Sequence, residues 1–312
     1  MDLHELRGKI VFSAGKQGDY DVWRLDLPEL KPSRLTSGDY WNDSPRWSPD
    51  GKRILFTSNR TGTPEVFVMD EWGNEQRQLT NTHKYHRTPD WTPDGRSYVC
   101  VANYAGNFDL WLMDAEGKRA PQQLTDYEGQ DYMPDVSPDG QRVVFTSERS
   151  GNDDVWLLEL ATRKTTRLTT HQARDYSPRF SPDGKRVVFV AERAAGPIDP
   201  NVDLYLMNID GSGVQRLTSN AGIDRYATWS PDGRFLIYTS AKPQGVSERL
   251  MVMQVSEGRP VRLSIDREPL EWEISATPEA AGLFTLLPTS IIRKFYSEDY
   301  FGTERCPDWA AA

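Results

Sequence analysis

Apolar residues in this chain come in runs of three or four, bounded by Gly, Asn, Asp and Pro, and the runs recur in step. Ile54-Leu55-Phe56 is matched by Val143-Val144-Phe145, Val187-Val188-Phe189 and Leu236-Ile237-Tyr238. Val66-Phe67-Val68-Met69 is matched by Val22-Trp23, Leu110-Trp111-Leu112-Met113, Val155-Trp156-Leu157-Leu158 and Leu204-Tyr205-Leu206-Met207. Short runs rich in β-branched and aromatic residues predict strands. No window carries the i, i+3, i+4 stripe of an amphipathic helix.

Two markers set the period. Ser48-Pro49-Asp50-Gly51 returns at Thr92, Ser137, Ser181 and Ser230, with its glycines 44, 45, 44 and 49 residues apart. Pro fixes the first turn position, Asp tolerates the second and Gly takes the left-handed one, so each copy is a tight reversal between strands. Leu-Thr or Leu-Ser closes each repeat, at Leu35, Leu79, Leu124, Leu168, Leu217 and Leu263. A period near 44 residues with four strands per unit predicts an all-β, six-bladed β-propeller of four-stranded antiparallel blades. In each unit the first strand ends at the Pro-Asp-Gly turn and carries Trp47, Trp91, Val136, Phe180 or Trp229.

The ends suggest how the ring closes. Ile10-Val11-Phe12-Ser13 reads as a second strand without a first, and Glu271-Trp272-Glu273-Ile274-Ser275 as a first strand without a second. Pairing the N-terminal strands with this C-terminal one leaves no open edge in the closing blade. Leu283-Phe284-Thr285-Leu286-Leu287 either joins that blade or begins a degenerate seventh. The expected division is a propeller over 1–287 and an aromatic tail over 288–312, packed on the propeller or used to bind a partner. The 49-residue step comes from a longer loop around residues 194–201, a functional rim loop or a tolerated insertion.

Composition narrows the class. Hydrophobic residues make up 37% of the 312, enough for a packed core. A net charge of −9 argues against a general nucleic-acid binder. No apolar run approaches the ~20 residues of a membrane-spanning helix. Met1 to Arg7 lack a signal core, so Met1 read as the natural start places the protein in the cytoplasm. Cys100 stands where other repeats have Phe56, Phe145 and Phe189, and is expected in the core.

These repeats resemble the TolB-type propeller repeat. Trp47 to Arg53, Ser58-Asn59-Arg60-Thr61-Gly62, Met69-Asp70 and Leu79-Thr80 follow its pattern of Trp-Ser-Pro-Asp-Gly-Lys-Arg, Ser-x-Arg-x-Gly, Met-Asp and Leu-Thr. The resemblance covers residues 9 to about 280 and implies interaction work at the end of the propeller, in the periplasm. TolB also carries an N-terminal α/β domain, and repeats that begin by residue 9 imply a stand-alone relative without it. Related propellers include metal-dependent oligosaccharide lyases.

Candidate chemistry follows from the repeat as a ruler. Six positions after each closing Thr stand Asn42, His86, Asp131, Asp175 and Asp224, followed by Asp43, Arg87, Tyr132, Tyr176 and Arg225. These residues open the channel-lining strands and are expected at one channel mouth. Asp131, Asp175 and Asp224 could hold Ca²⁺, which takes several oxygen ligands. They could attract a basic peptide or cationic group, or each could tie down its own loop through backbone hydrogen bonds. The leading expectation is a non-enzymatic scaffold that binds a protein or peptide at this mouth. The alternative is a metal-dependent polysaccharide lyase or hydrolase around His86, Asp131, Asp175 and Asp224. A further acidic row, Asp21, Glu65, Asp109, Asp154 and Asp203, precedes the third strands, often after an Arg as in Arg60 with Glu65 and Arg149 with Asp154. Its repetition in nearly every blade predicts loop fixation.

Overall fold

The short apolar runs are strands. The structure, a computed structural model, describes residues 8–16, 19–27, 29, 31–193, 202–219, 222–241, 248–256, 260–262, 271–277 and 283–286. The long loop at 194–201 and the tail at 288–312 lie outside them. The first blade takes β1 (Gly8–Lys16), β2 (Asp19–Leu27) and β3 (Lys31–Arg34). The second is β4 (Asn42–Trp47), β5 (Arg53–Ser58), β6 (Glu65–Asp70) and β7 (Arg77–Gln78). The third is β8 (His86–Trp91), β9 (Ser97–Ala102), β10 (Asp109–Asp114) and β11 (Gln122–Gln123). The fourth is β12 (Asp131–Val136), β13 (Arg142–Ser147), β14 (Asp154–Glu159) and β15 (Thr165–Arg167). The fifth is β16 (Asp175–Phe180), β17 (Arg186–Ala191), β18 (Asp203–Asn208) and β19 (Gln215–Arg216). The sixth is β20 (Ile223–Trp229), β21 (Phe235–Ala241), β22 (Glu248–Gln254) and β23 (Pro260–Arg262).

Two C-terminal strands, β24 (Glu271–Thr277) and β25 (Leu283–Leu286), complete the first blade. β24 runs antiparallel to β1, from Val11 opposite Ser275 to Gly15 opposite Glu271. β25 pairs antiparallel with β24 and parallel with β1 at Lys9 and Ile10. Residues 283–286 therefore belong to the closing sheet. The architecture is a six-bladed propeller in which every blade is antiparallel through its four core strands.

Blades pack face to face through their middle strands. Phe56, Cys100, Phe145, Phe189 and Tyr238 are buried at equivalent positions of the second strands. Cys100 is a core residue as expected, and burial pushes its thiol pKa up. The aromatic row that ends the first strands wedges between blades. Arg53 stacks 4.8 Å over the Trp91 ring of the next blade, and Arg186 stacks 5.2 Å over Trp229.

The Pro-Asp-Gly turn ties blades as well as strands. The Gly51 N–H donates to the Ser48 carbonyl at 2.8 Å, while Arg53 N–H donates to Ser48 Oγ at 2.9 Å. Gly95, Gly140, Gly184 and Gly233 each lie beside the proline of the preceding turn. A Cβ on Gly140 would sit 3.3 Å from Pro93 Cδ, and one on Gly184 would sit 3.6 Å from Pro138 Cδ.

Five first strands carry a feature that the apolar runs and turn motifs do not announce. Ser44, Thr88, Met133, Ser177 and Tyr226 adopt φ between 47° and 58°. At each, the pairing with the second strand slips by one residue, as between Asp43 and Arg46. Such a bulge reverses which residues share a face. Asp43 therefore shares a face with Arg46, and Asn42 shares one with Trp47.

Candidate functional site

The residues expected at the strand-start mouth are deeply buried. Asn42, His86, Asp131, Asp175 and Asp224 have no exposed surface. Most are held by the loop between the second and third strands of their own blade. Arg60 Nη2 donates to Asn42 Oδ1 at 2.9 Å, Arg149 pairs with Asp131 at 2.6 Å, and Arg193 pairs with Asp175 at 3.0 Å. Blade three replaces that arginine with Tyr104, whose hydroxyl lies 2.9 Å from His86 Nε2. His86 Nδ1 lies 2.8 Å from Glu65 Oε2. Burial raises the Glu65 pKa, but the hydrogen bonds from His86 and Thr80 outweigh it and leave the carboxyl below its usual range. Asp131, Asp175 and Asp224 start first strands of three different blades. Among the described residues no three His, Cys, Asp or Glu side chains converge as metal ligands.

The second position faces the other way. Asp43 is pushed up to about 6 by burial, against the pull of Arg87. Arg87 lies 5.2 Å from the Trp41 ring centroid and 5.6 Å from that of Tyr85. Blades four and five share a network. Tyr132 donates to Asp153, Arg174 Nε donates to Asp153 at 2.7 Å, and Tyr176 donates to Glu192 at 3.2 Å. The structure thus brings Tyr132 and Tyr176 into one polar cluster and keeps the first-position acids apart. Arg225 is half-buried on β20, where it pairs across the ladder with Thr239.

The third-strand acids fix loops, with different arginines from those the sequence suggested. Asp154 pairs with Arg167 at 2.6 Å and Asp203 with Arg216 at 2.6 Å, both from fourth strands. Asp154 and Asp203 also accept from the closing Thr169 and Thr218 hydroxyls. Arg60 and Arg149, which precede Glu65 and Asp154 in the sequence, serve Asn42 and Asp131 instead. Their fork reaches inward to the first strand.

The open cavity lies at the opposite end, inside the ring of Pro-Asp-Gly turns. It measures about 110 Å³, several times the ~10–15 Å³ that one water needs. Pro49, Pro93, Pro138, Pro182 and Pro231 form its rim, with Trp47, Trp91, Phe180 and Trp229 behind them. Asp90, Asp135, Arg179 and Thr228 complete the wall. These four, with Arg46, occupy one place in the repeat, just before the aromatic wedge. The row Arg-Asp-Asp-Arg-Thr was visible in the sequence, but the bulge that re-aims it was not.

The two acids bind the inner edge of the next blade. Asp90 Oδ2 accepts from Val136 N–H at 2.8 Å, and Asp135 Oδ2 accepts from Phe180 N–H at 2.7 Å. Their other oxygens have longer contacts, to Arg46 at 3.5 Å and Arg179 at 3.4 Å. Burial and the neighbouring Asp90 carboxylate push Asp135 up to about 7, with Arg179 and Arg46 opposing. Burial also raises Asp90.

Comparisons with known proteins agree with this architecture. The profile of the TolB beta propeller domain matches residues 7–127, and that of the Tricorn protease N-terminal beta propeller domain matches residues 151–282. No curated protein matches the chain. TolB from Acinetobacter baumannii superposes with a TM-score of 0.73 at 22% identity, over 90% of this chain and 67% of that one. A putative TolB from Agrobacterium tumefaciens gives 0.69 at 20% identity, over 83% of this chain and 89% of that one. An oligogalacturonate lyase from Vibrio parahaemolyticus gives 0.58 at 16% identity, over 88% and 78%. Identities this low establish the fold alone.

Proposed function

We propose that this TolB-like six-bladed propeller is a non-catalytic binding module that takes a peptide or protein segment into the turn-ringed end of its channel. The observation that carries the reading is the cavity itself. It combines an apolar proline rim with a small set of polar groups, the mix that pockets use to hold and orient a ligand. At the strand-start end Asp131 and Asp175 are closed by Arg149 and Arg193, so that mouth offers less to a partner. Both ring nitrogens of His86 are engaged, by Glu65 and Tyr104, which leaves no open position for the lyase-type metal chemistry considered above.

Selection from a displayed random peptide library tests the reading. With Cys306, the other cysteine of the sequence, changed to Ser, Pro231→Cys adds a thiol on the cavity rim, while Cys100 is buried. The unlabelled protein is expected to enrich peptides, and labelling the folded protein with a bulky maleimide is expected to abolish that enrichment. Enrichment that survives the label would move the site elsewhere, and no enrichment at all would sink the binding role. Cleavage of polygalacturonate by the purified protein with a divalent metal added would favour a lyase instead.

A further inference from the structure

The seams between blades share a polar layout, and one seam departs from it. The acid that opens a third strand meets the residue that opens the first strand of the next blade. Asn42 Nδ2 donates to Asp21 Oδ1 at 3.2 Å, and His86 Nδ1 lies 2.8 Å from Glu65 Oε2. The backbone repeats the arrangement further on: the Asp131 N–H donates to the Phe108 carbonyl at 2.8 Å, and the Asp175 N–H to the Asp153 carbonyl at 2.8 Å. Asp131 therefore sits beside Asp109, and Asp175 beside Asp154. Between blades four and five two carboxylates meet two guanidiniums, Arg167 on Asp154 and Arg193 on Asp175. Between blades one and two Asp21 has Arg34, while the neutral Asn42 has Arg60. Between blades three and four an arginine is missing. Asp131 has Arg149, but the fourth-strand place of Arg34, Arg167 and Arg216 is taken by Gln123. Gln123 gives Asp109 only an amide donor, at 3.1 Å. Two acids thus share one cation, with Asp109 1% exposed and Asp131 not exposed at all. A separate observation points the same way: Asp131 Oδ1 is buried and accepts no hydrogen bond among the described residues. Blade two also has a glutamine there, Gln78, but His86 faces its Glu65.

We propose that the seam between blades three and four is a pH-operated latch: a proton held between Asp109 and Asp131 closes it, and release of that proton sets two buried like charges against each other and loosens it. The proton replaces the charge that an arginine at position 123 would have supplied. It also gives the Asp109 carboxyl an O–H for the open Asp131 Oδ1. Two buried carboxylates with one counter-charge stay ionised together only at high cost. Burial and the Asp131 carboxylate push Asp109 up to about 6, against the hydrogen bonds from Gln123, Thr125 and Asn107. Because the folded pKa is raised, the latch is fully closed below the ordinary 3.8 and is lost as pH rises through about 6. The other titratable groups at the seam are Arg149 and Glu148, from the turn after β13, and Tyr127, from the loop before β12. Arg149 holds Asp131 and lies 5.1 Å from the Tyr127 ring centroid. Burial and Asp153 act on Glu148 more strongly than Asp131 does. A metal ion fits the pair less well, since no third acid, His or Cys joins it among the described residues.

Amide hydrogen exchange on the full chain reads each seam locally. The Asp131 N–H crosses this seam, and the Asp175 N–H crosses the one where charges balance. Their protection factors, corrected for the intrinsic effect of pH on exchange, are compared at pH 5 and pH 8. In the wild type the Asp131 protection is expected to fall roughly 10-fold or more between the two, and that of Asp175 about 3-fold or less. Gln123→Arg supplies the arginine that blades one, four and five carry at that place. It is expected to reduce the Asp131 fall to about 3-fold or less, and Asp109→Asn to do the same without adding a charge. The comparison of two seams in the wild type needs no variant, so a substitution that failed to fold would not shield the idea. Equal falls at Asp131 and Asp175, an Asp131 protection that ignores pH, or a folded Gln123→Arg that keeps the whole fall would overturn it. Suppression of the fall by millimolar Ca²⁺ would make the pair a cation site and overturn the proton.

Discussion

At the residue scale the informative group is Asp135. Its carboxyl moves from an ordinary 3.8 to about 7 because burial and Asp90 disfavour its charge. A raised carboxyl pKa means that the folded state holds a proton which the unfolded chain has released. Stability attributable to this group is therefore lost as pH rises from about 4 to about 7, and the full penalty applies above 7. Asp135→Asn removes the penalty. Urea unfolding of both proteins is expected to show the variant gaining on the wild type between pH 5 and pH 8. At ~1.4 kcal/mol per pH unit, over the two units between pH 5 and about 7, the gain is at most roughly 3 kcal/mol. A difference between the two proteins that does not change with pH would contradict this account of Asp135. Asp90 shares the titration, so the effect belongs to the pair. None of this was legible as a site in the sequence. The acids expected to matter, Asp131, Asp175 and Asp224, are carboxylates repeated at one register, and a repeat reveals register readily. What decides their chemistry is the arginine that reaches each, and Arg149 and Arg193 arrive from loops about 18 residues away.

At the scale of the element, turn and bulge differ in how far they could be foreseen. The Pro-Asp-Gly turn is built from local preferences. Its serine or threonine, aspartate and glycine all do what their chemistry allows within a few residues, so four or five letters suffice to read it. The first-strand bulge is not local. Met133 and Tyr226 have no preference for positive φ, yet they adopt 52° and 58° where the pairing with the second strand slips. That bulge puts Asp43, and not Asn42, on the face of Arg46. The turn also makes a prediction of its own. Gly140 and Gly117 have nearly the same φ, +68° and +69°, but a Cβ at Gly117 meets nothing while one at Gly140 meets Pro93 at 3.3 Å. Both alanine variants incur the left-handed strain of roughly 1–2 kcal/mol. Gly140→Ala is expected to cost about 1 kcal/mol more, because it must also push the Pro93 ring of the neighbouring blade. Equal losses in chemical denaturation would show that the turns do not bind the blades to one another.

At the scale of the whole molecule, closure is what makes the ring a single cooperative unit. The hydrophobic clusters of the core run from blade to blade, and one of them joins blades three, four, five and six through Val101, Val143, Tyr176 and Tyr238. The one sheet assembled from both ends of the chain is the first, where β24 supplies the innermost strand that β1 lacks. The paired ends were readable from strand order alone, since an unpartnered second strand and an unpartnered first strand complete each other. Removing residues 263–312 deletes that partner and leaves the β1 edge open, a template for edge-to-edge association. Losing several kcal/mol of packing, at ~2–4 °C per kcal/mol for a domain of this class, is expected to lower the thermal midpoint by roughly 10 °C or more. The truncated protein is also expected to self-associate. A circular permutant that carries residues 271–286 on a short linker ahead of Gly8 restores the same pairs from the other side. It is expected to recover most of the lost midpoint and the monomeric state. If the permutant stays as unstable as the truncation, the missing stabilisation lies in residues 263–270 or in those beyond 286. If the truncation itself melts like the full chain, closure by β24 contributes little, and the ring is held by blade-to-blade packing alone.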